Sequence, residues 1–345
     1  MTEPRARVLI VGMGGVGAMA AYALETGGLA EVTAILRSNY DAVEKNGFDI
    51  DSVQFGHDIR GWRPTSIRKT VPNVSTGQIE PFDYILVTTK TIPEVPPSVA
   101  DIIEPAVTPG RTAIVLSQNG LNIEQPIIAR FPTNPIISSI SLIAVAETAH
   151  GKILHEDDDI QKLGPFSSDG VDPSVAEAAT RRYMALYNAR GMLDVTYEAD
   201  VKLTRWRKLV YNASFNTVAA ALRMDTGRMR MSRHVIDDLV RPIMLEIIAA
   251  ARAVGCDLPD DLAEGVIRID PTDTDIKPSM CQDVEKGNLI EIETIAKQPL
   301  LEGEARGVPM PTLRTVYGIL KGVQLKTMEA KGLWERKFTP DNPYQ

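Results

Sequence analysis

The sequence predicts an α/β protein in two parts: strands alternating with helices around an open parallel sheet, then a wholly helical domain. Three observations predict it. Residues 7–17 read RVLIVGMGGVG, an apolar run that ends in four glycines within six positions. Further near-continuous apolar strands follow at EVTAIL, DYILVTT (83–89), TAIVLS (112–117) and PIISSISLIAVA (135–146), as suits a parallel sheet buried on both faces. From about Asp172 helical patterns dominate and convincing strands become scarce. The boundary is placed near Glu198, giving domains 1–198 and 199–345.

Taken in order, the first strand delivers the chain to Gly12, Gly14 and Gly17, which meet the pattern Gly-x-Gly-x-x-Gly. Such a turn lets the backbone around Gly12, Gly14, Gly15, Val16 and Gly17 and a positive helix N-terminus face a pyrophosphate. Glycines cluster in many turns, so context decides. AMAAYALETGG is a helix that closes on Gly27 and Gly28, and EVTAIL is a β-branched strand. Strand, turn, helix and strand fit within about 30 residues, one βαβ unit of a Rossmann-type dinucleotide-binding domain. An NAD-binding fold usually ends its second strand on an acid. Here that strand ends AILRSN, and Arg37 offers a guanidinium fork suited to a ribose 2′-phosphate, with Ser38 and Asn39 as neutral donors. The other reading of Arg37 is a solvated residue after a strand. DYILVTTK ends on Lys90 and TAIVLSQNG on Gln118, Asn119 and Gly120. These polar groups lie beyond strand carboxyl ends, where ligands collect in open sheets, or are ordinary loop residues.

Helices are predicted at PSVAEAATRRYMALYNARG, capped at Gly191, and over 199–222, 233–254, 287–306 and 311–331. Within RWRKLVYNASFNTVAAAL, Lys208, Asn212 and Asn216 recur every four residues and form one polar stripe on an otherwise apolar helix. A buried stripe of one amine and two amides must find partners: neighbouring backbone, solvent, or a ligand. KPSMCQDVEKGNLIEIE adds Ser279 with the acidic Asp283 and Glu291; the other reading of such an acid at a helix start is a cap or a solvated charge.

Composition bounds the function. The 345 residues carry 37 basic and 45 acidic side chains, a net charge of −8 without long blocks of one sign, so no nucleic-acid footprint is expected. No run approaches the roughly 18 apolar residues of a spanning helix, and MTEPRARVLIVG lacks a signal-peptide core. A cytoplasmic protein without membrane partners is predicted. Cys256 and Cys281 are expected to be free, packed thiols. His57, His150, His155 and His234 lack metal-ligand spacing, and HEDDD near residue 155 reads as an exposed acidic turn, so no metal is expected. Neither Gly-x-Ser-x-Gly nor H-E-x-x-H occurs.

In order, GMGGVG, LR after the second strand, TTK, QNG, WRKLVYNASFN and SMCQDVEKGNLIEIE resemble the ketopantoate reductase (2-dehydropantoate 2-reductase) family over most of the chain. The resemblance implies a Rossmann domain joined to a helical one, with NADPH and a small 2-oxo acid bound between them. It also implies Lys208 as the catalytic lysine and Glu291 as its acidic companion. Lys90 and Asn119 are implied to lie by the nicotinamide and substrate, Asn212 and Asn216 to contact substrate hydroxyls, Ser279 its carboxylate, and Asp283 to support. The residue types fit independently: an ammonium stabilises charge growing on a ketone oxygen and then donates the proton.

Departures from the family pattern are the stretch GHDIRGWRPTSIRK, the tail LWERKFTPDNPYQ, and Ile276, which stands three positions before Ser279 where some members carry an asparagine. Ile276 leaves open a reductase of another branched acid such as 2-oxoisovalerate, in central or specialised metabolism. A non-catalytic NADP(H) sensor is the remaining alternative. A homodimer is the default assembly for a soluble enzyme.

Overall fold

In the computed structural model, which describes residues 4–273, 275–338, 340 and 342–344, the first strand is apolar on both faces. Val8 and Ile10 belong to one buried cluster, Leu9 and Val11 to another. Two-residue periodicity in a strand covered on both sides requires this division. The strands are β1 (Ala6–Val11), β2 (Ala30–Ile35), β3 (Phe48–Ser52), β4 (Gly56–Trp62), β5 (Ser66–Arg68), β6 (Tyr84–Val87), β7 (Ala113–Leu116), β8 (Ile136–Leu142), β9 (Val145–Ala149), β10 (Lys152–His155), β11 (Ile160–Phe166) and β12 (Asp194–Tyr197). Eight form a sheet in the order β12-β11-β8-β7-β6-β1-β2-β5. Its pairings are parallel except β11 with β8. From β1 the chain crosses by the helix Gly15–Thr26 to β2 on one side, while β6 takes the other. Strand order therefore reverses at β1, and in open α/β sheets the crevice beyond such a point is where ligands bind.

The chain forms two compact units. One comprises the residues up to Thr91, Pro97–Asn119 and Ile123–Thr204; the other comprises Ile92–Pro96, Gly120–Asn122 and the residues from Arg205 onward. Among the described residues the second unit contains helices and no strand. Its backbone includes three π-helical stretches, Asn212–Asn216, Ile236–Val240 and Glu293–Lys297.

Several expectations are corrected. The apolar run 135–146 is two strands: β8 lies in the large sheet, and β9 joins a four-stranded sheet of order β4-β3-β10-β9 that the sequence reading lacks. No turn residue marks that break, because Leu142 to Val145 stays apolar through it. GHDIRGWRPTSIRK supplies β4 and β5, and β12 adds a strand after the helix Pro173–Tyr187. The helix predicted over 287–306 begins at the π stretch 293–297, and a separate helix, Ser279–Glu285, precedes it. HEDDD is not an exposed turn: His155 and Asp159 are buried, and only the three residues between them face solvent. The Asp159 carboxylate accepts from Gln161 Nε2 at 2.6 Å and Tyr187 Oη at 2.8 Å, and burial raises its pKa.

Candidate functional site

In the first unit the glycine turn is fixed by steric fit. Gly12 has φ +105°, a left-handed region that side chains resist. A Cβ on Gly17 would stand 1.9 Å from the Gly12 carbonyl oxygen, which accepts from Thr88 Oγ1 at 2.5 Å. A Cβ on Gly14 would meet nothing within 4 Å. Gly14 is the N-cap of the helix Gly15–Thr26 and has no side chain to accept from the first amides, and the open space beside it leaves room for a phosphate at the positive helix end. Val16 lies in that helix's first turn, and Gly15 rests against Val145 of β9. These features fit a dinucleotide pyrophosphate.

Asn39 is spent on structure. Its Nδ2 donates to the Met13 carbonyl and to Glu147 Oε1, both at 2.9 Å, fastening the turn to β9. Of the polar residues after β2, Arg37 and Ser38 are the exposed ones. Arg37 lines a cavity of about 280 Å³ with Gly12, Ile35 and Val71 among its walls. Beyond β6 and β7, Gln118 Nε2 donates to the Thr89 carbonyl at 2.5 Å, which ties the two strand-end loops carrying Lys90 and Asn119. Gln118 is thereby a brace between loops; Lys90 is exposed and Asn119 half-buried.

In the second unit, Lys208 lies in the last turn of the helix ending at Tyr211, and Asn212 and Asn216 open and close the π stretch that continues it. The predicted stripe assumes uniform α geometry, and the structure departs from it. Hydroxyls explain how the wider turn is tolerated: Ser214 Oγ donates to the Val210 carbonyl at 2.5 Å and Thr217 Oγ1 to the Ala213 carbonyl at 2.6 Å. Asn216 is 4 % exposed, and its Oδ1 has no hydrogen-bond partner among the described residues. Native proteins seldom leave such an acceptor unsatisfied.

Other elements converge on this stretch. The helix Ser279–Glu285 packs against 212–216 and against Thr217–Leu222, and the π segments 236–240 and 293–297 also pack on 212–216. Ser279 is exposed at the start of its helix, whereas Asp283 is buried. Gln324 clamps the backbone just before Glu291: the Ile290 amide donates to its Oε1 at 3.0 Å, and its Nε2 donates to the Ile290 carbonyl at 3.1 Å. Burial, then the Arg205 guanidinium, pulls the pKa of Lys208 down, and the Glu291 carboxylate pulls it up, leaving it at about 8. Near neutral pH the amine is thus charged yet able to release a proton.

Arg205 is missing from the sequence-derived set. It is buried one helical turn before Lys208, and its Nη1 donates to the Gly120 carbonyl at 2.9 Å. Gly120 has φ +101°, and a Cβ there would lie 2.4 Å from Thr294, so this glycine lets the segment 120–122 close on 293–297. The signal for Arg205 was weak, because an arginine beside Trp206 reads as a solvated residue on an amphipathic helix. Glu94 and Glu293 are likewise joined by Lys321, at 3.2 and 2.7 Å. Among the described residues no group of three or more His, Cys, Asp or Glu side chains could hold a metal.

A glycine turn at the switch point of a Rossmann-like parallel sheet defines the fold of a dinucleotide-binding protein. Comparison with known proteins gives the family. Residues 8–168 match the family described as Ketopantoate reductase PanE/ApbA, and residues 200–324 match its C-terminal counterpart. The chain is 34 % identical to the Uncharacterized protein YDL144C of Saccharomyces cerevisiae, over 95 % of this chain and 96 % of that protein. It is 24 % identical to a 2-dehydropantoate 2-reductase of Nostoc sp., over 90 % and 93 % respectively. A solved 2-dehydropantoate 2-reductase from Methylococcus capsulatus superposes with TM-score 0.77 at 30 % identity, covering 93 % of this chain and 97 % of that one. The chain belongs to the ketopantoate reductase family. A D-mandelate dehydrogenase solved with NADH shares the fold at 18 % identity and TM-score 0.78, covering 93 % and 99 %. No helix among the described residues is long and apolar enough to cross a membrane.

Proposed function

We propose that the chain catalyses NADPH-dependent reduction of 2-dehydropantoate to (R)-pantoate, a step towards pantothenate and coenzyme A. The observation that carries this reading is Lys208, an amine with a pKa of about 8 under the charge of Glu291 and on the helix that continues into Asn212 and Asn216. Bound NADPH supplies the hydride. As negative charge builds on the ketone oxygen, the Lys208 ammonium stabilises it and then gives up its proton. Glu291 keeps the amine charged against desolvation. Asn212 and Asn216 orient substrate hydroxyls without adding charge, and the unpartnered Asn216 Oδ1 is an acceptor suited to one of them. Ser279 takes the carboxylate. In the first unit Gly12, Gly14, Gly15, Val16 and Gly17 hold the pyrophosphate, Arg37 the ribose 2′-phosphate, and Lys90 and Asn119 the nicotinamide end and substrate. The active form is a cytoplasmic homodimer.

The test is the initial rate of NADPH oxidation with 2-dehydropantoate and with 2-oxoisovalerate, repeated with NADH. A strong preference for 2-dehydropantoate and NADPH is expected. Equal efficiency on 2-oxoisovalerate removes pantoate as the specific product, with Ile276 the first residue to examine. Tight NADPH binding without turnover of either acid overturns the pantoate assignment in favour of another substrate or the non-catalytic NADP(H) sensor.

A further inference from the structure

A second cation stands beside Arg37. β2 and β5 pair in parallel with Ile35 opposite Arg68, and the Leu36 amide donates to the Arg68 carbonyl at 2.9 Å. The chain therefore leaves both strands at the same level, and Arg37 and Lys69 emerge next to one another. With Thr70 they form the polar side of the 280 Å³ cavity, whose apolar walls include Ile35, Val71, Ile102 and Pro105. Apolar walls suit a purine ring, and two adjacent cations suit a phosphate monoester, which carries between one and two negative charges at neutral pH.

Resting on the reading of Arg37 as the site of the ribose 2′-phosphate, we propose that Lys69 is its second ligand and a determinant of preference for NADPH over NADH. In the structure Lys69 Nζ lies 2.8 Å from Asp41 Oδ1 and 4.5 Å from the centre of the Tyr40 ring. The lysine side chain is 60 % exposed and that of Asp41 84 %, so the pair is screened by water and contributes little. A phosphate held between Arg37 and Lys69 offers more charge than Asp41 does. The lysine exchanges one anionic partner for a stronger one on a flexible stem, so no backbone movement is required.

The test is equilibrium binding followed by the fluorescence of the reduced nicotinamide, with NADPH and NADH, on the wild-type protein, Lys69→Met, Lys69→Arg and Arg37→Ala. Lys69→Met is expected to raise the NADPH Kd about tenfold, the loss of one charge-assisted contact, and to leave the NADH Kd within twofold. The unchanged NADH affinity also reports that the mutated domain is folded. Lys69→Arg is expected to retain NADPH binding, and the slope of log Kd against log salt is expected to flatten for Lys69→Met alone of the two Lys69 variants. If the wild type prefers NADPH, Arg37→Ala abolishes that preference and Lys69→Met leaves it intact, Lys69 is not a ligand while the Arg37 reading stands. If the wild type binds both dinucleotides equally, both assignments fall together.

Discussion

At the glycine turn of the first unit the groups proposed to bind are backbone amides, whereas along residues 201–222 they are side chains. The turn is shaped by exclusion: Gly17 approaches the Gly12 carbonyl so closely that a single methyl group would not fit. The helix is shaped by accommodation, since Ser214 and Thr217 cover carbonyls in a wider turn that uniform α geometry would not contain. A site made of backbone is read from residue identity, because only glycine fits. A site made of side chains also depends on where the helix winds, which residue spacing alone does not report.

Breaking each region separately sharpens that contrast. The largest effect is expected at the side-chain site: Lys208→Ala should lower kcat by a factor of about 100 to 10,000, the range of a lost general acid, with NADPH affinity nearly unchanged. Single-turnover rates and cofactor titration on the same sample measure both. Next comes the backbone site. Gly17→Ala should weaken dinucleotide binding about 100-fold and lower the melting temperature, while Gly14→Ala, with open space before it, should leave the melting temperature unchanged and still weaken binding. Equal thermal effects from the two substitutions would contradict the steric account of the turn.

A smaller effect is expected from pH. Lys208 must be protonated to donate, so the reductive kcat/KM should fall about tenfold per unit as pH rises beyond about 8. Glu291 raises that pKa, so Glu291→Gln should move the alkaline limb to lower pH; a limb that stays in place removes Glu291 as the charge partner. The smallest effect belongs to the brace that fastens the glycine turn to β9 within the first unit. Asn39→Ala strips a donor from the Met13 carbonyl and from Glu147, and should cost about 1–2 kcal/mol of stability in chemical denaturation.

The contrast also explains what the sequence could reveal. β1, the glycine turn, its helix and β2 were legible because apolar periodicity and glycine spacing are local properties. The four-stranded sheet was not, since β3 and β10 pair across about 100 residues of chain and β4 is mostly exposed, with no apolar run to announce it. Asn39 reads in the sequence as a neutral donor beside Arg37 because nothing local shows that Met13 and Glu147 claim its amide. Lys208, Asn212 and Asn216 were singled out by chemistry and spacing, but the π turn beneath them was hidden. Ser214 and Thr217 were its only local trace, and hydroxyl residues in helices commonly point elsewhere.

A π turn is in effect an α-helix with one residue too many, and three of them meet around Asn212–Asn216. Each surplus residue is a standing invitation to stabilise the chain by deletion, because the regular helix is the better-bonded form. A protein selected for heat resistance alone would shed them. Shortening 212–216 by one residue would close the wide turn and remove the carbonyl arrangement that Ser214 and Thr217 now cover, so a sturdier molecule would have lost the backbone surface against which the helix Ser279–Glu285 and the other two π segments pack.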